Sequence, residues 1–153
     1  MAGKSNSLAE TYLNLVYKGT TDADLAGDAG TADTIYFALH TGDPGDAGTQ
    51  ASNEVTAAQY PAYARVGVSR GSGFGNTTTS NGATAIHPTA PITFPTTDAS
   101  GTGCTVTHFS TGISASGATR ILHSGAISPA MAIPAATAGV IPQLTTATVI
   151  QES

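Results

Sequence analysis

Short β-forming runs make up most of the chain, and glycine, proline, serine and threonine separate them at close intervals. Alternating apolar positions such as Ile35, Phe37 and Leu39 are typical of a strand with one buried face. The pattern predicts strands at 34–40, 64–70, 84–87, 92–94, 104–111, 118–124 and 145–151. Many short strands with turn residues between them predict an all-β fold, mainly an antiparallel β-sandwich or a jelly-roll-like barrel.

One segment near the N-terminus has helical periodicity instead. Leu8, Tyr12, Leu15 and Val16 follow one another at helical spacing. The run Ser7-Leu8-Ala9-Glu10 has the spacing of a capping box, and a glycine at position 19 can end the helix. The sequence therefore predicts one short helix at 7–18.

The length of 153 residues allows one modest core with appendages. We expect an N-terminal arm, the helix and an acidic loop over 1–33, and a β-sandwich domain over 34–153. Within that domain, 128–142 is rich in alanine and proline, so we expect an extended arm there that cannot form a central strand. We expect 1–7 and this arm to lie along a partner, with four interface residues in the arm: Ile133, Pro134, Ile141 and Pro142.

Charge is distributed unevenly along the chain. Seven of the ten acidic residues lie between Asp22 and Glu54, whereas only Asp98, Arg120 and Glu152 are charged after position 70. A free surface typically carries roughly a quarter to a third charged residues. Either this half has a free surface that is polar through hydroxyl groups, or copies of the chain or a larger partner cover it.

The core is expected to be thin, because fewer than one residue in five is Ile, Leu, Val or Phe. Self-association into a dimer or trimer would compensate for a thin core. A net charge of −5 with only five Lys and Arg argues against nucleic-acid binding. The chain has no apolar run of membrane-spanning length and no apolar signal-peptide segment, so we expect no membrane association and synthesis in the cytosol. A single Cys104 excludes an intramolecular disulfide.

The sequence contains no convincing catalytic, cofactor or metal site. The histidines, which have no local metal-pair spacing, are His40, His87, His108 and His123. The glycine-rich run 70–76 lacks the lysine of a phosphate-binding loop, and no serine stands in a Gly-x-Ser-x-Gly nucleophile context. We therefore expect no enzyme activity and no cofactor.

The acidic stretch after the helix has a weak similarity to a calcium-binding loop. With Asp22 as position 1, Gly27 falls at position 6 and Asp33 at position 12. Ala26 at position 5 and the absence of the bidentate glutamate depart from that pattern. A solvated acidic loop is the favoured interpretation.

A structured turn is predicted at Asp43, Pro44 and Gly45, because a Pro-Gly pair is typical of the centre of a type II turn. Glycine at the third of these positions accommodates a positive φ. We therefore expect Gly45→Val to lower thermal stability more than Gly48→Val.

Three motifs resemble a family of small tailed-bacteriophage virion proteins. The first runs Leu-His-Thr-Gly-Asp-Pro-Gly over 39–45, the second Asn-Glu-Val over 53–55 and the third Tyr-Ala-Arg-Val over 63–66. A further match covers Thr-Val-Thr-His-Phe at 105–109 and Ile-Leu-His-Ser-Gly-Ala-Ile at 121–127. After Gly125 an Ala/Pro arm replaces the family's usual Gly-Asp turn. Members of this family are described as tail-fibre proteins or as head decoration proteins.

The resemblance implies a structural virion protein. We expect a capsid decoration protein on the outer surface of the head, which binds the major capsid protein and stabilises the contacts between neighbouring copies of it. The first alternative is a tail-fibre or receptor-binding module. The second is an enzyme such as a cell-wall hydrolase, which the position of most acids in one loop-rich region disfavours.

Overall fold

The structure, a computed structural model, describes residues 6–19, 34–45, 47–80 and 83–152. Its helical segment is α1 (Asn6–Leu13), followed by a π-helical turn over Asn14–Lys18. The strands are β1 (Thr34–His40), β2 (Val66–Ser69), β3 (Thr78–Ser80), β4 (Ala83–Ile86), β5 (Ile92–Thr93), β6 (Cys104–Gly112), β7 (Ile121–Ile133), β8 (Gln143–Leu144) and β9 (Ile150–Glu152). An all-β fold with one short helix is confirmed.

The helix begins one residue before its predicted cap, so that Ser7 lies in its first turn. Gly19 ends the helical segment as predicted, with a left-handed φ of 65° and an N–H that donates to the Asn14 carbonyl. Glycine adopts this conformation without the steric cost that a Cβ would cause.

In the segment expected to be an extended arm, 128–142, the residues Ser128–Ile133 belong to β7, which is not a central strand but the last one of its sheet. This strand has 13 residues and contains Pro129. Proline is tolerated there because β7 is the last strand of its sheet, where a missing N–H removes no ladder bond on the outer side. The predicted strand at 145–151 is likewise replaced by β8 and β9, and β3, which consists only of hydroxyl residues, was not predicted.

The strands form three sheets of four, three and two strands. Their orders are β2-β1-β6-β7, β3-β4-β9 and β5-β8. β1 pairs with β6, β6 with β7, β3 with β4 and β4 with β9, and each of these pairs is antiparallel. Within the described residues no sheet closes into a barrel.

The described residues form two compact units that alternate along the sequence. The first takes them from 1–34, 68–91 and 144–153, and the second from 35–67 and 92–143. These units do not follow the expected boundary between 1–33 and 34–153. That boundary stays a prediction, because 20–33 lies outside the described residues.

The first unit packs the helical segment against its own loop and sheet. Leu13 and Tyr17 are fully buried, and the ring of Tyr17 meets that of Phe74 edge to face at a centroid distance of 5.0 Å. The Gly71 N–H donates to the Tyr17 carbonyl over 2.9 Å, and the Arg70 guanidinium donates to the Leu15 carbonyl. The end of the helical segment is thus held by the loop after β2.

The core of the second unit lies under the two central strands of its sheet. Phe37 on β1 and Phe109 on β6 stack at 6.2 Å. A second aromatic group joins Tyr60, Tyr63 and Phe94, with Tyr63 nearly parallel to Phe94 at 6.3 Å. Large rings fill volume that the scarce aliphatic side chains cannot, which is how a chain of this composition builds a core.

Candidate functional site

The sequence motifs of 39–66 meet in one buried polar network in the second unit. Its centre is an ion pair between Arg65 and Glu54, in which Nε lies 2.7 Å from Oε1 and Nη2 lies 2.8 Å from Oε2. The Arg65 side chain is only 2% exposed. A buried, two-point pairing of this kind fixes the orientation of both groups. It also raises the pKa of the Arg65 guanidinium, chiefly through the hydrogen bond to Glu54.

The remaining N–H groups of Arg65 connect two loops. Nη2 donates to the Gly117 carbonyl over 2.8 Å, and Nη1 donates to the Ser114 carbonyl and to Gln50 Oε1, both over 3.2 Å. Thr119 donates to the same Gln50 oxygen over 3.0 Å. The guanidinium therefore holds the loop between β6 and β7 against the loop after β1.

Gln50 and Gly112 fit together closely. The Gln50 side chain is fully buried, and its amide donates to the Tyr36 carbonyl over 3.1 Å. A Cβ built at Gly112 would overlap the Gln50 amide, so the last residue of β6 has to be glycine for the network to close.

Tyr63 connects the ion pair to β1. Its hydroxyl donates to Glu54 Oε1 over 2.9 Å and accepts the Leu39 N–H over 3.0 Å. Burial raises the pKa of this phenol, and the neighbouring Glu54 carboxylate raises it further. The phenol therefore stays protonated and acts as a fixed hydrogen-bond donor.

His40 at the end of β1 extends the network to β6. Its Nδ1 lies 2.9 Å from the Ser52 carbonyl oxygen, and its Nε2 lies 2.8 Å from Ser110 Oγ. The carbonyl accepts only from a protonated nitrogen, which assigns the proton to Nδ1 and makes Nε2 the acceptor of the serine hydroxyl. Burial lowers the pKa of His40, so its neutral form is the stable one.

These contacts use the polar atoms of the network internally. Arg65, Gln50 and His40 each bond to groups of their own unit and are buried. An active site needs groups that can reach a substrate, whereas the Arg65 side chain is 2% exposed and both carboxylate oxygens of the half-buried Glu54 accept from Arg65. Its chemistry is that of a polar core that fixes loops to strands.

The predicted turn lies beside this network. Gly45 has a φ of +73°, and its N–H donates to Asp43 Oδ1 over 2.9 Å. The Gly48 N–H donates to the Gly45 carbonyl over 3.0 Å. A Cβ at Gly48 would overlap the Pro44 carbonyl oxygen, whereas a Cβ at Gly45 would meet nothing within 4 Å. The close approach at Gly48 was not foreseen from the sequence.

The four predicted interface residues lie in two different environments. Ile133 and Pro142 are buried in the chain's own structure, whereas Pro134 and Ile141 are exposed. The segment before β8 is held by buried Thr97, whose hydroxyl donates to the Thr137 carbonyl over 2.7 Å and whose N–H donates to the Val140 carbonyl over 2.8 Å. The rest of the expected arm therefore lies on the chain itself, and a partner could reach only its exposed residues.

The candidate metal ligands are not brought together where the structure describes them. Within the described ranges no group of three or more His, Cys, Asp or Glu could hold a metal ion. The weak calcium-like stretch at 22–33 lies outside those ranges, as does most of the N-terminal segment 1–7. In the part of the chain that is described, no helix is long and apolar enough to cross a membrane.

The second notable feature of this unit is the outer strand β7. No strand of the described chain lies beyond it in the sheet order, and its 13 residues include no Asp, Glu, Lys or Arg. Most of its side chains are exposed or half-buried. The sequence shows that this half of the chain is nearly uncharged, but not that part of it forms the last strand of a sheet.

Comparison with known families assigns the chain. The model of the family described as podophage GP4 fiber I protein gp80 matches residues 3–145. The chain belongs to this family. The buried network and β7 both lie within the matched span. No curated protein matches the chain. Membership supports the expected class of phage virion protein.

One signal in the sequence points to the ion pair. Arg65 is the single Lys or Arg between Lys18 and Arg70, in a stretch that holds most of the acids. A lone cation among acids, flanked by apolar residues, is a candidate for a buried pair. The sequence alone could not show that Glu54, eleven residues earlier, is the partner.

Proposed function

We propose that the chain is a structural component of a fibre-type appendage of a podophage virion and that it assembles with copies of itself. The observation that carries this proposal is the family match over residues 3–145, because the family is described as a fibre protein. The buried network supports it: the polar groups of Arg65, Glu54 and His40 stabilise the fold. The proposal includes no catalytic role and no cofactor.

Capsid decoration is the second candidate function. It is favoured by the nearly uncharged half of the chain, which suits an extended contact with a large partner such as the major capsid protein. The outer surface of the head would then be the location. Both candidates place the chain in the virion, and they differ only in the structure that it joins.

Locating the protein in intact particles tests the two candidates against each other. Virions are labelled with gold-conjugated antibodies against the purified protein, and separated heads and tails are analysed by mass spectrometry. Label on tail appendages and peptides in the tail fraction are expected. Label spread over the head would instead establish decoration, and absence of the protein from purified virions would contradict both proposals.

A further inference from the structure

The turn after β1 contains a peptide bond that is chemically weaker than its neighbours. Asp43 is followed by Pro44, the single Asp-Pro pair of the sequence, and the bond between them is a tertiary amide. The nitrogen of such a bond is more readily protonated than that of an ordinary peptide bond, so proline is the better leaving group. The aspartate side chain is also long enough to close a five-membered ring on its own carbonyl carbon. The pair therefore combines a nucleophile with a leaving group.

The structure holds the Asp43 carboxylate beside this bond. Its Oδ1 accepts the Gly45 N–H over 2.9 Å. Because Gly45 lies on the far side of the Asp43–Pro44 bond, the hydrogen bond folds the aspartate side chain back along the peptide group that it can attack. A nucleophile that is already held beside its target reacts faster than a freely rotating one.

A side chain from a later loop donates to the carbonyl of the same bond. Asn53 Nδ2 lies 2.8 Å from the Asp43 carbonyl oxygen. Asn53 has a φ of +54°, which is uncommon for a residue other than glycine, and its own carbonyl accepts both the N–H and the hydroxyl of Thr41. Negative charge develops on the Asp43 oxygen when its carbon is attacked, so the fixed Asn53 amide is placed to stabilise that charge.

We propose that the chain cleaves its own backbone between Asp43 and Pro44. Asp43 Oδ2 attacks the Asp43 carbonyl carbon and forms a cyclic anhydride, while the bond to the Pro44 nitrogen breaks and the nitrogen takes up protons from solvent. Water then opens the anhydride, which leaves two carboxylates on Asp43 and releases two protons that balance those taken up by the amine. The net reaction is hydrolysis of one peptide bond in a single turnover. The inference is independent of where the protein lies in the virion.

The surroundings of the bond allow hydrolysis and hold the two products together. Asp43 is exposed, so water reaches the anhydride, whereas Pro44 is buried. β1 lies in the first product and β6 in the second, and the two strands stay paired. The Leu39 carbonyl in the first product also accepts the Val55 N–H of the second over 3.0 Å. The cut chain therefore stays associated, and its two pieces separate only under denaturing conditions.

Asp98 provides an internal comparison within the same chain. Its Oδ1 accepts the Ser100 N–H over 2.9 Å, which is the same turn hydrogen bond as at Asp43. Ala99 follows it instead of proline, so the leaving nitrogen there is that of an ordinary peptide bond. The proposal therefore predicts cleavage after Asp43 and none after Asp98.

Mass spectrometry of the purified full-length protein tests the proposal. Folded protein is incubated at about pH 5 and at about pH 7.5 and is denatured just before measurement. We expect two fragments, 1–43 and 44–153, whose masses add up to that of the chain plus one water. They should form faster at the lower pH, because the leaving nitrogen has to be protonated. The same incubation in guanidinium chloride should slow cleavage at least about tenfold, because the unfolded chain no longer holds the carboxylate at the bond.

Two variants test the roles of the individual groups. Asp43→Ala removes the nucleophile and should abolish cleavage, whereas the matched control Asp98→Ala should leave it unchanged. Asn53→Gly removes the amide donor but keeps a residue that accepts the positive φ, and it should slow cleavage about tenfold. Circular dichroism verifies that each variant is folded.

A wild-type chain that stays intact at both pH values would overturn the inference. Cleavage that persists in Asp43→Ala, that is unaffected by Asn53→Gly, or that is as fast in the unfolded chain as in the folded one would also overturn it. None of these outcomes changes where the protein lies in the virion. Failure of the self-cleavage and failure of the proposed function are therefore distinguishable.

Discussion

Two regions of the second unit differ in how they treat polar groups. In the interior, Arg65 and His40 are buried, Glu54 is half-buried, and all three are bonded to groups of the same chain. Along β7 the side chains carry no formal charge, and many of them are exposed. The ionisable groups stabilise the fold, and the uncharged strand presents the surface.

In this protein the buried ionisable groups have a structural role, although such groups are usually the first candidates for a functional site. Buried ionisable groups are often functional candidates because environments that shift pKa values are common in active sites. Here the same environment surrounds an ion pair that joins loops to strands. The surface suited to contact with a partner is the uncharged strand β7, because a partner can cover it without removing water from charged groups.

The largest expected effect is a loss of folding stability on substitution of a buried residue of the Ala/Pro segment, compared with an exposed residue of the same segment. Ile133 is 3% exposed, so Ile133→Asp buries a carboxylate without a partner and should cost more than about 4 kcal/mol, enough to prevent folding of a marginal domain. Ile141 is 51% exposed, and Ile141→Asp should change stability by less than about 0.5 kcal/mol. Thermal melts of the two variants check this, and equal losses would contradict the assignment.

The ion pair is the next largest test of the interior region. Arg65→Ala leaves the Glu54 carboxylate without its cation and should cost about 3–5 kcal/mol. The exposed Arg120, just before β7, is the control: Arg120→Ala should cost less than about 0.5 kcal/mol. Urea unfolding curves measure both. Similar midpoints for the two variants would show that the network does not stabilise the fold.

Substitutions of the two glycines near the turn test the structure of the loop beside the network. Gly48→Ala should cost about 3 kcal/mol, because its Cβ overlaps the backbone oxygen of Pro44. Gly45→Ala should cost about 1 kcal/mol, because only its positive φ is unfavourable. The structure thus reverses the order expected from the sequence. Differential scanning calorimetry decides, and a larger loss at Gly45 would contradict the close approach.

The smallest expected effect is a pH dependence that belongs to the interior. Burial lowers the pKa of His40 in the folded state below its ordinary value of 6.5. The unfolded chain therefore takes up a proton first, so stability is complete above about pH 6.5 and falls as the pH drops toward the lower folded-state pKa. Melting temperatures from pH 8 to pH 5 should fall less in His40→Gln. An equal fall would assign the dependence to other groups.

Local patterns predicted the elements well and the connections between them poorly. Alternating Ile35, Phe37 and Leu39 placed β1 at its observed bounds, and Gly19 marked the end of the helical segment. The strand β7 was cut short because Pro129 indicates a break unless the strand is known to lie at an edge, which is a property of the whole sheet. Ile133 was likewise expected at an interface, whereas in the structure it is buried and pairs with Cys104, which is distant in sequence.

Hydrogen exchange of single backbone amides in the purified protein tests most directly whether the buried network stabilises the fold. The Leu39 N–H donates to the Tyr63 hydroxyl, which in turn donates to Glu54. We expect the Leu39 amide to be strongly protected in the wild type and in Arg120→Ala. In Arg65→Ala the same amide should exchange much faster, and unchanged protection of Leu39 in that variant would contradict the account.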